Sequence, residues 1–96
     1  MTKTKWRIYT EYIHTRHVAE IVDKYFADYS MFSGIGHYGG EKERCLVIEI
    51  IPENEYYLYG EADIIEICKK INTANHQTCC LVTSEQVDVM IVAEKS

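Results

Sequence analysis

Arg44-Cys45-Leu46-Val47-Ile48-Glu49-Ile50-Ile51 is the stretch on which the fold turns. Leu46, Ile48 and Ile50 point one way from an extended chain, and Cys45, Val47, Glu49 and Ile51 point the other. Both sides are largely apolar, so this strand is expected at the centre of a sheet. Glu49 is the exception, a carboxylate expected to be partly buried.

The next element upstream, Ser30 to Tyr38, reads as a strand interrupted by Gly34 and Gly36. Glycines inside a strand signal a bulge or a close backbone approach. The turn Gly39-Gly40-Glu41-Lys42 joins it to the central strand as a hairpin. Further upstream, Trp6 to Ile13 alternates. Trp6, Ile8, Thr10 and Tyr12 share one side, and Arg7, Tyr9, Glu11 and Ile13 the other. From Thr15 the period changes, and Val18, Ile21, Val22, Tyr25, Phe26 and Tyr29 form the stripe of an amphipathic helix. Thr15 is placed to cap it, and Glu20 and Lys24 to pair along it.

Downstream, Pro52 to Gly60 reads as a loop carrying Tyr56, Tyr57 and Tyr59. Glu61 to Ala74 reads as a second helix with Ile64, Ile67, Cys68 and Ile71 as its stripe. Its acids lie early and Lys69-Lys70 late, which suits the helix dipole. Asn72 to Asn75 stops it. Gln77 to Thr83 is the next strand. Val87 to Ala93 also alternates, either as a separate strand after a Ser84-Glu85-Gln86 turn or as an extension past a bulge. The order predicts a single α+β domain over residues 1–96. The expected form is a ferredoxin-like βαββαβ sandwich, an antiparallel sheet with two helices on one face and an extra C-terminal strand left open.

Fifteen acids against ten bases give a net charge of −5. That argues against a nucleic-acid partner, which needs a basic surface. No apolar run reaches membrane length, and the start has no secretion pattern, so a cytoplasmic location is expected. Cys45, Cys68, Cys79 and Cys80 are then expected to be reduced and to serve as small core hydrophobes. Vicinal Cys79 and Cys80 would point to opposite faces of a strand.

The helices leave one sheet face open, and Cys45, Val47 and Ile51 make it apolar on the central strand. Such a face implies self-association into a homo-oligomer, a ligand groove lined by tyrosines, or both. The segment Ser33 to Glu43 adds four glycines, His37, Tyr38, Glu41 and Glu43. Glycine amides can receive an anion, although neither a P-loop nor a dinucleotide fingerprint is present. Candidate ligand contacts are Tyr9, Tyr12, Gly36, His37, Tyr38, Gly39, Glu43, Asn75 and Gln77. Aromatic rings would stack on a base, and glycine amides with His37 would meet a phosphate. At the cluster Asn72, Asn75 and Gln77, the asparagines also read as helix-capping residues. His14 with His17, and His76 with Cys79, have metal-pair spacing but no complete signature, so no metal and no cofactor is expected. His76-Gln77-Thr78 matches one His-x-Thr element of two-histidine phosphoesterases, a chemistry that needs two.

Gly34-Ile35-Gly36-His37-Tyr38-Gly39-Gly40-Glu41-Lys42-Glu43, followed by Leu46-Val47-Ile48-Glu49-Ile50, resembles a group of small uncharacterised bacterial and phage proteins. Those carry glycine, an aromatic, another glycine and a glutamate before an apolar strand. Ile71 and Asn75-His76-Gln77 are similar to their helix-to-strand junction, and the resemblance covers about half the chain. It implies a ferredoxin-like fold. A phage origin would imply a counter-defence role, such as holding a signalling nucleotide. His37 departs from the pattern, where a less ionisable residue is expected. Three readings follow: a non-enzymatic oligomeric module for a small anionic or nucleotide-like ligand, an interaction module inhibiting a host protein, and a small phosphodiesterase using His14 and His76.

Overall fold

The computed structural model describes residues 1–53 and 57–94. In chain order the elements are β1 (Thr2–Glu11), α1 (Thr15–Asp23), β2 (Ser30–Tyr38), β3 (Glu41–Ile50), α2 (Tyr57–Asn75) and β4 (Leu81–Asp88). The strands form one antiparallel sheet in the order β2-β3-β1-β4. Both helices pack on one side of it, a ferredoxin-type α+β arrangement. No helix among the described residues is long and apolar enough to cross a membrane.

The core lies between helices and sheet. Trp6 and Ile8 of β1 stand opposite Ile50 and Ile48 of β3. Val18, Ile21 and Val22 of α1 and Ile64, Ile67 and Ile71 of α2 close over them. The stripes read from the sequence are the buried faces. α1 ends at Asp23, sooner than its stripe suggests, but Tyr25, Phe26 and Tyr29 still pack against the core from the turn that follows. The lone tryptophan belongs here, and Tyr9, of opposite parity, belongs to the open face.

The hairpin turn is two residues long, because Gly39 and Gly40 both have positive φ, 56° and 83°. That pair of conformations makes the tight turn whose twist matches the strands, and L side chains resist it. β3 therefore starts at Glu41, within what the sequence read as turn.

Several local expectations are corrected. His14, not Thr15, is the residue before α1, in the left-handed region at φ 50° and with no side-chain cap. Glu20 faces Arg16 and His17 rather than Lys24, which lies beyond the helix end. α2 begins at Tyr57, inside the stretch read as loop; Tyr56 lies outside the described residues.

The largest correction concerns β4. It runs from Leu81 to Asp88, so Gln77–Cys80 precede it and the extra C-terminal strand is absent. Ser84, Glu85 and Gln86 lie in mid-strand, so of the two readings the turn fails and the strand extends through them to Asp88. Polar partners on β1 hold them there: Lys5 Nζ is 2.7 Å from Glu85, and Gln86 donates to Thr4 Oγ1 at 2.9 Å. Residues 89–93 belong to no strand.

α2 closes with a paired turn. The Gln77 amide donates to the Asn72 carbonyl at 3.0 Å and the His76 amide to that of Thr73 at 3.4 Å, with His76 left-handed at φ 53°. This is the helix-ending motif that usually places glycine at the left-handed position. The exposed His76 carries steric strain there that glycine would not. His76→Gly is therefore expected to stabilise the fold by up to about 1 kcal/mol, raising Tm by a few degrees. A lowered Tm would show that His76 contributes a contact outweighing its backbone strain.

Candidate functional site

The open sheet face has three regions. At one end Arg7 Nε lies 2.8 Å from Glu49 Oε2, and its guanidinium sits over the Phe32 ring at 5.8 Å. Glu49 thus interrupts the apolar strand because Arg7 matches its charge from β1. In the middle, Phe32, Val47, Tyr9 and Leu81 stand opposite one another across all four strands.

At the other end the face hollows into a groove of about 200 Å³, lined by residues including Tyr9, Glu11, Tyr38, Glu43, Cys45 and Leu81. Beside it on β2, Gly36 pairs with Glu43 and Gly34 with Cys45. The Tyr38 ring lies over Gly36 so closely that a Cβ there would overlap it, and a Cβ on Gly34 would meet Cys45 Sγ at 3.4 Å. Gly36 therefore serves a close approach of side chain to backbone, whereas the contact at Gly34 is an ordinary one. Arg44 reaches the rim, with its guanidinium stacked 3.9 Å from the Tyr12 ring centroid.

The expected site residues separate into groups. Tyr9, Tyr38 and Glu43 line this groove, with Gly36 against the Tyr38 ring. His37 pairs with Lys42 on the opposite side of the hairpin, Gly39 is in its turn, and Tyr12 packs against the core side under Arg44. Glu11, Arg44, Cys45, Cys79 and Leu81 line the groove without having been singled out as contacts. The pairings Glu11 to Cys45 and Tyr9 to Leu81 bring three of them, Glu11, Cys45 and Leu81, beside Tyr9.

Asn75 and Gln77 occupy a different place, a polar hub between α2 and β1. Gln77 Oε1 accepts from Thr10 Oγ1 at 2.9 Å and from Asn75 Nδ2 at 3.0 Å. Gln77 Nε2 donates to Asn72 Oδ1 at 3.1 Å and to the Cys79 carbonyl at 2.9 Å. All four hydrogen-bonding positions of the amide are occupied within the protein. Asn75 and Thr10, each 5% exposed, are sealed around it, and His14 Nδ1 lies 3.3 Å from Asn75 Oδ1. The hub brings His14 beside the residue preceding His76, but the hollow containing His14 and His17 is not lined by His76. Among the described residues no group of three or more His, Cys, Asp or Glu gathers as metal ligands.

The cysteines differ from one another. Cys45 is buried, Cys68 and Cys80 are half-buried, and Cys79 is exposed, outside any strand. The expectation of four core hydrophobes therefore fails at Cys79, which precedes the displaced start of β4. A hydrogen bond shared with Cys80, with burial, pushes the Cys68 thiol up; the same bond pulls Cys80 down.

With this geometry in place, no family model matches the chain and no curated protein matches it in sequence. Solved structures do resemble it in fold. A phage SAM lyase in its apo state superposes with a TM-score of 0.74 at 20% identity, over 99% of this chain and 93% of that one. The phage SAM lyase in complex with S-methyl-5′-thioadenosine gives 0.70 at 18% identity, over 98% and 92%. CPII from Thiomonas intermedia K12, a nitrogen regulatory PII-like protein, bound to ADP, AMP and acetate, gives 0.55 at 14% identity, over 94% and 90%. At these identities the likeness is one of fold, a PII-like ferredoxin-type fold.

The hub allows a direct test of what Gln77 does. Gln77→Leu would leave Thr10 and Asn75 with buried unpaired groups, each costing about 1–3 kcal/mol. Urea unfolding is expected to show a loss of about 3 kcal/mol. A loss below about 0.5 kcal/mol would mean that the hub contributes little to the fold.

Proposed function

We propose that this chain is a small-ligand binding module whose groove on the open sheet face takes an adenine nucleoside carrying positive charge, of which S-adenosylmethionine is the sulfonium example. One observation carries the proposal: the groove combines the aromatic side chains of Tyr9 and Tyr38 with the carboxylates of Glu11 and Glu43. An aromatic face can stack on a purine or hold a sulfonium or ammonium group, and carboxylates favour that cation. The cation at the rim, Arg44, rests on Tyr12. Two carboxylates against one guanidinium favour a cationic nucleoside over a phosphate-rich nucleotide, the anionic ligand that glycine amides alone would suggest.

The bound molecules named for the structural neighbours support the adenosine part of this reading. The phage SAM lyase is described with S-methyl-5′-thioadenosine, and CPII with ADP and AMP. Holding the ligand without changing it is the first reading, and it fits a role in withholding a signalling or donor nucleoside. Phe32 and Leu81 beside the groove remain 43% and 56% exposed, apolar surface that a bound nucleoside would cover. A second reading is turnover of the sulfonium, favoured by the superposition on a lyase over nearly the whole chain. Releasing S-methyl-5′-thioadenosine breaks the bond from sulfur to the amino-acid chain. Glu11 or Glu43 would take a proton from the neighbouring carbon. The C–H electron pair would become the C=C bond of the released amino acid, and the S–C pair would stay on sulfur as the neutral thioether.

The test is a thermal-shift series with S-adenosylmethionine, S-methyl-5′-thioadenosine, AMP and ADP, followed by chromatography of each mixture. The first two are expected to raise Tm, by about 10 °C or more at a hundredfold excess over Kd, and ADP to raise it least. Tyr38→Ala and Glu43→Gln should each weaken binding by about tenfold. Recovery of intact S-adenosylmethionine supports sequestration, and accumulation of S-methyl-5′-thioadenosine supports turnover. If none of the four ligands moves Tm and none is consumed, the proposal is wrong.

A further inference from the structure

Val89-Met90-Ile91-Val92-Ala93 follows β4 without a strand partner, and Met90, Ile91 and Val92 are 82%, 91% and 82% exposed. The run is uncharged and rich in strand-forming residues. Its start is held to the sheet, where the Val89 amide donates to the Met1 carbonyl at 2.9 Å. Apolar side chains on both faces of an extended segment leave water only when another surface covers them.

The sheet has a corresponding deficiency at β2. That strand is an edge, and its nine residues Ser30–Tyr38 include no Lys, Arg, Asp, Glu or Pro. Those are the residues with which sheet edges commonly resist pairing. The opposite edge, β4, carries Glu85 and Asp88.

We propose that residues 89–93 of one copy add as a strand to the β2 edge of a second copy. Five residues extend about 17 Å, which nine can accommodate. Charge selects which side of the added strand faces the helices. His37, Lys42 and Arg44 lie on the helix side of the hairpin, and Glu41 and Glu43 on the open side, by their register. Asp88 and Glu94 bracket the segment and share parity with Met90 and Val92. Turning that side toward the helices brings an acid to the basic hairpin end in either strand direction. Met90 and Val92 then meet Ile35, which is 62% exposed, and Ile91 meets Phe32 and the glycines of the open side. The contact joins unlike surfaces, so assembly runs head to tail.

The test is the solution mass of the full chain by light scattering, without ligand, so that its outcome is separate from the binding proposal. The unaltered protein is expected above the 11.2 kDa of one copy. Ile91→Glu and Ile35→Glu, both at exposed positions, are each expected at 11.2 kDa with unchanged circular dichroism. Three results would overturn the proposal: unaltered protein at the mass of one copy, Ile91→Glu assembling as the unaltered chain does, or dissociation by Leu81→Glu alone, which would place the contact on the open face.

Discussion

A strand that is apolar on both sides has to be covered twice, and β3 sets that demand. On the helix side, α1 and α2 cover Leu46, Ile48 and Ile50. On the other side no helix lies, yet Cys45 and Val47 are only 7% and 4% exposed. Their cover comes from neighbours in the sheet. Phe32 and Tyr9 flank Val47, and Gly34 and Glu11 flank Cys45, with Tyr38 folded inward at Gly36. A face protected by aromatic side chains instead of a second layer keeps those rings available to a ligand. The groove is thus a consequence of how the sheet solves its own burial problem.

The polar hub explains why residues that look equally suited to binding do different work. An amide can recognise a base edge only with positions to spare. Gln77 has none, since Thr10, Asn75, Asn72 and the Cys79 carbonyl use all four. Its partners Thr10 and Asn75 are buried, so for them losing the amide costs more than the bond itself contributes. Tyr38 and Glu43 stand in the opposite condition, on the solvent-facing side of an edge hairpin.

Much of the fold could be read from residue order. Period-two runs at Trp6 to Glu11 and Arg44 to Ile50, and period-three-and-four runs in both helices, reflect which faces must be buried. β4 was harder because its signals are relational. Ser84-Glu85-Gln86 has turn composition when read alone and becomes strand only with Lys5 and Thr4 across from it. The groove was half legible for the same reason. Tyr9, Gly36, Tyr38 and Glu43 stand out by composition and position, whereas Leu81 and Cys79 reach the groove only through a register that a one-dimensional reading does not contain.

That register also ties the hub to the groove. Gln77 is anchored to Thr10 by its side chain and to Asn72 by its backbone amide, so the chain leaves α2 at a defined point relative to β1. Three residues separate it from Leu81, which then falls opposite Tyr9, with Val82 opposite Ile8. A shift of one residue would carry Val82 off the core and turn Leu81 away from the groove, because successive strand side chains face opposite ways. The half-buried amide therefore acts on the candidate site at a distance. It touches none of the ligand-facing rings, but it fixes which β4 side chain stands beside Tyr9.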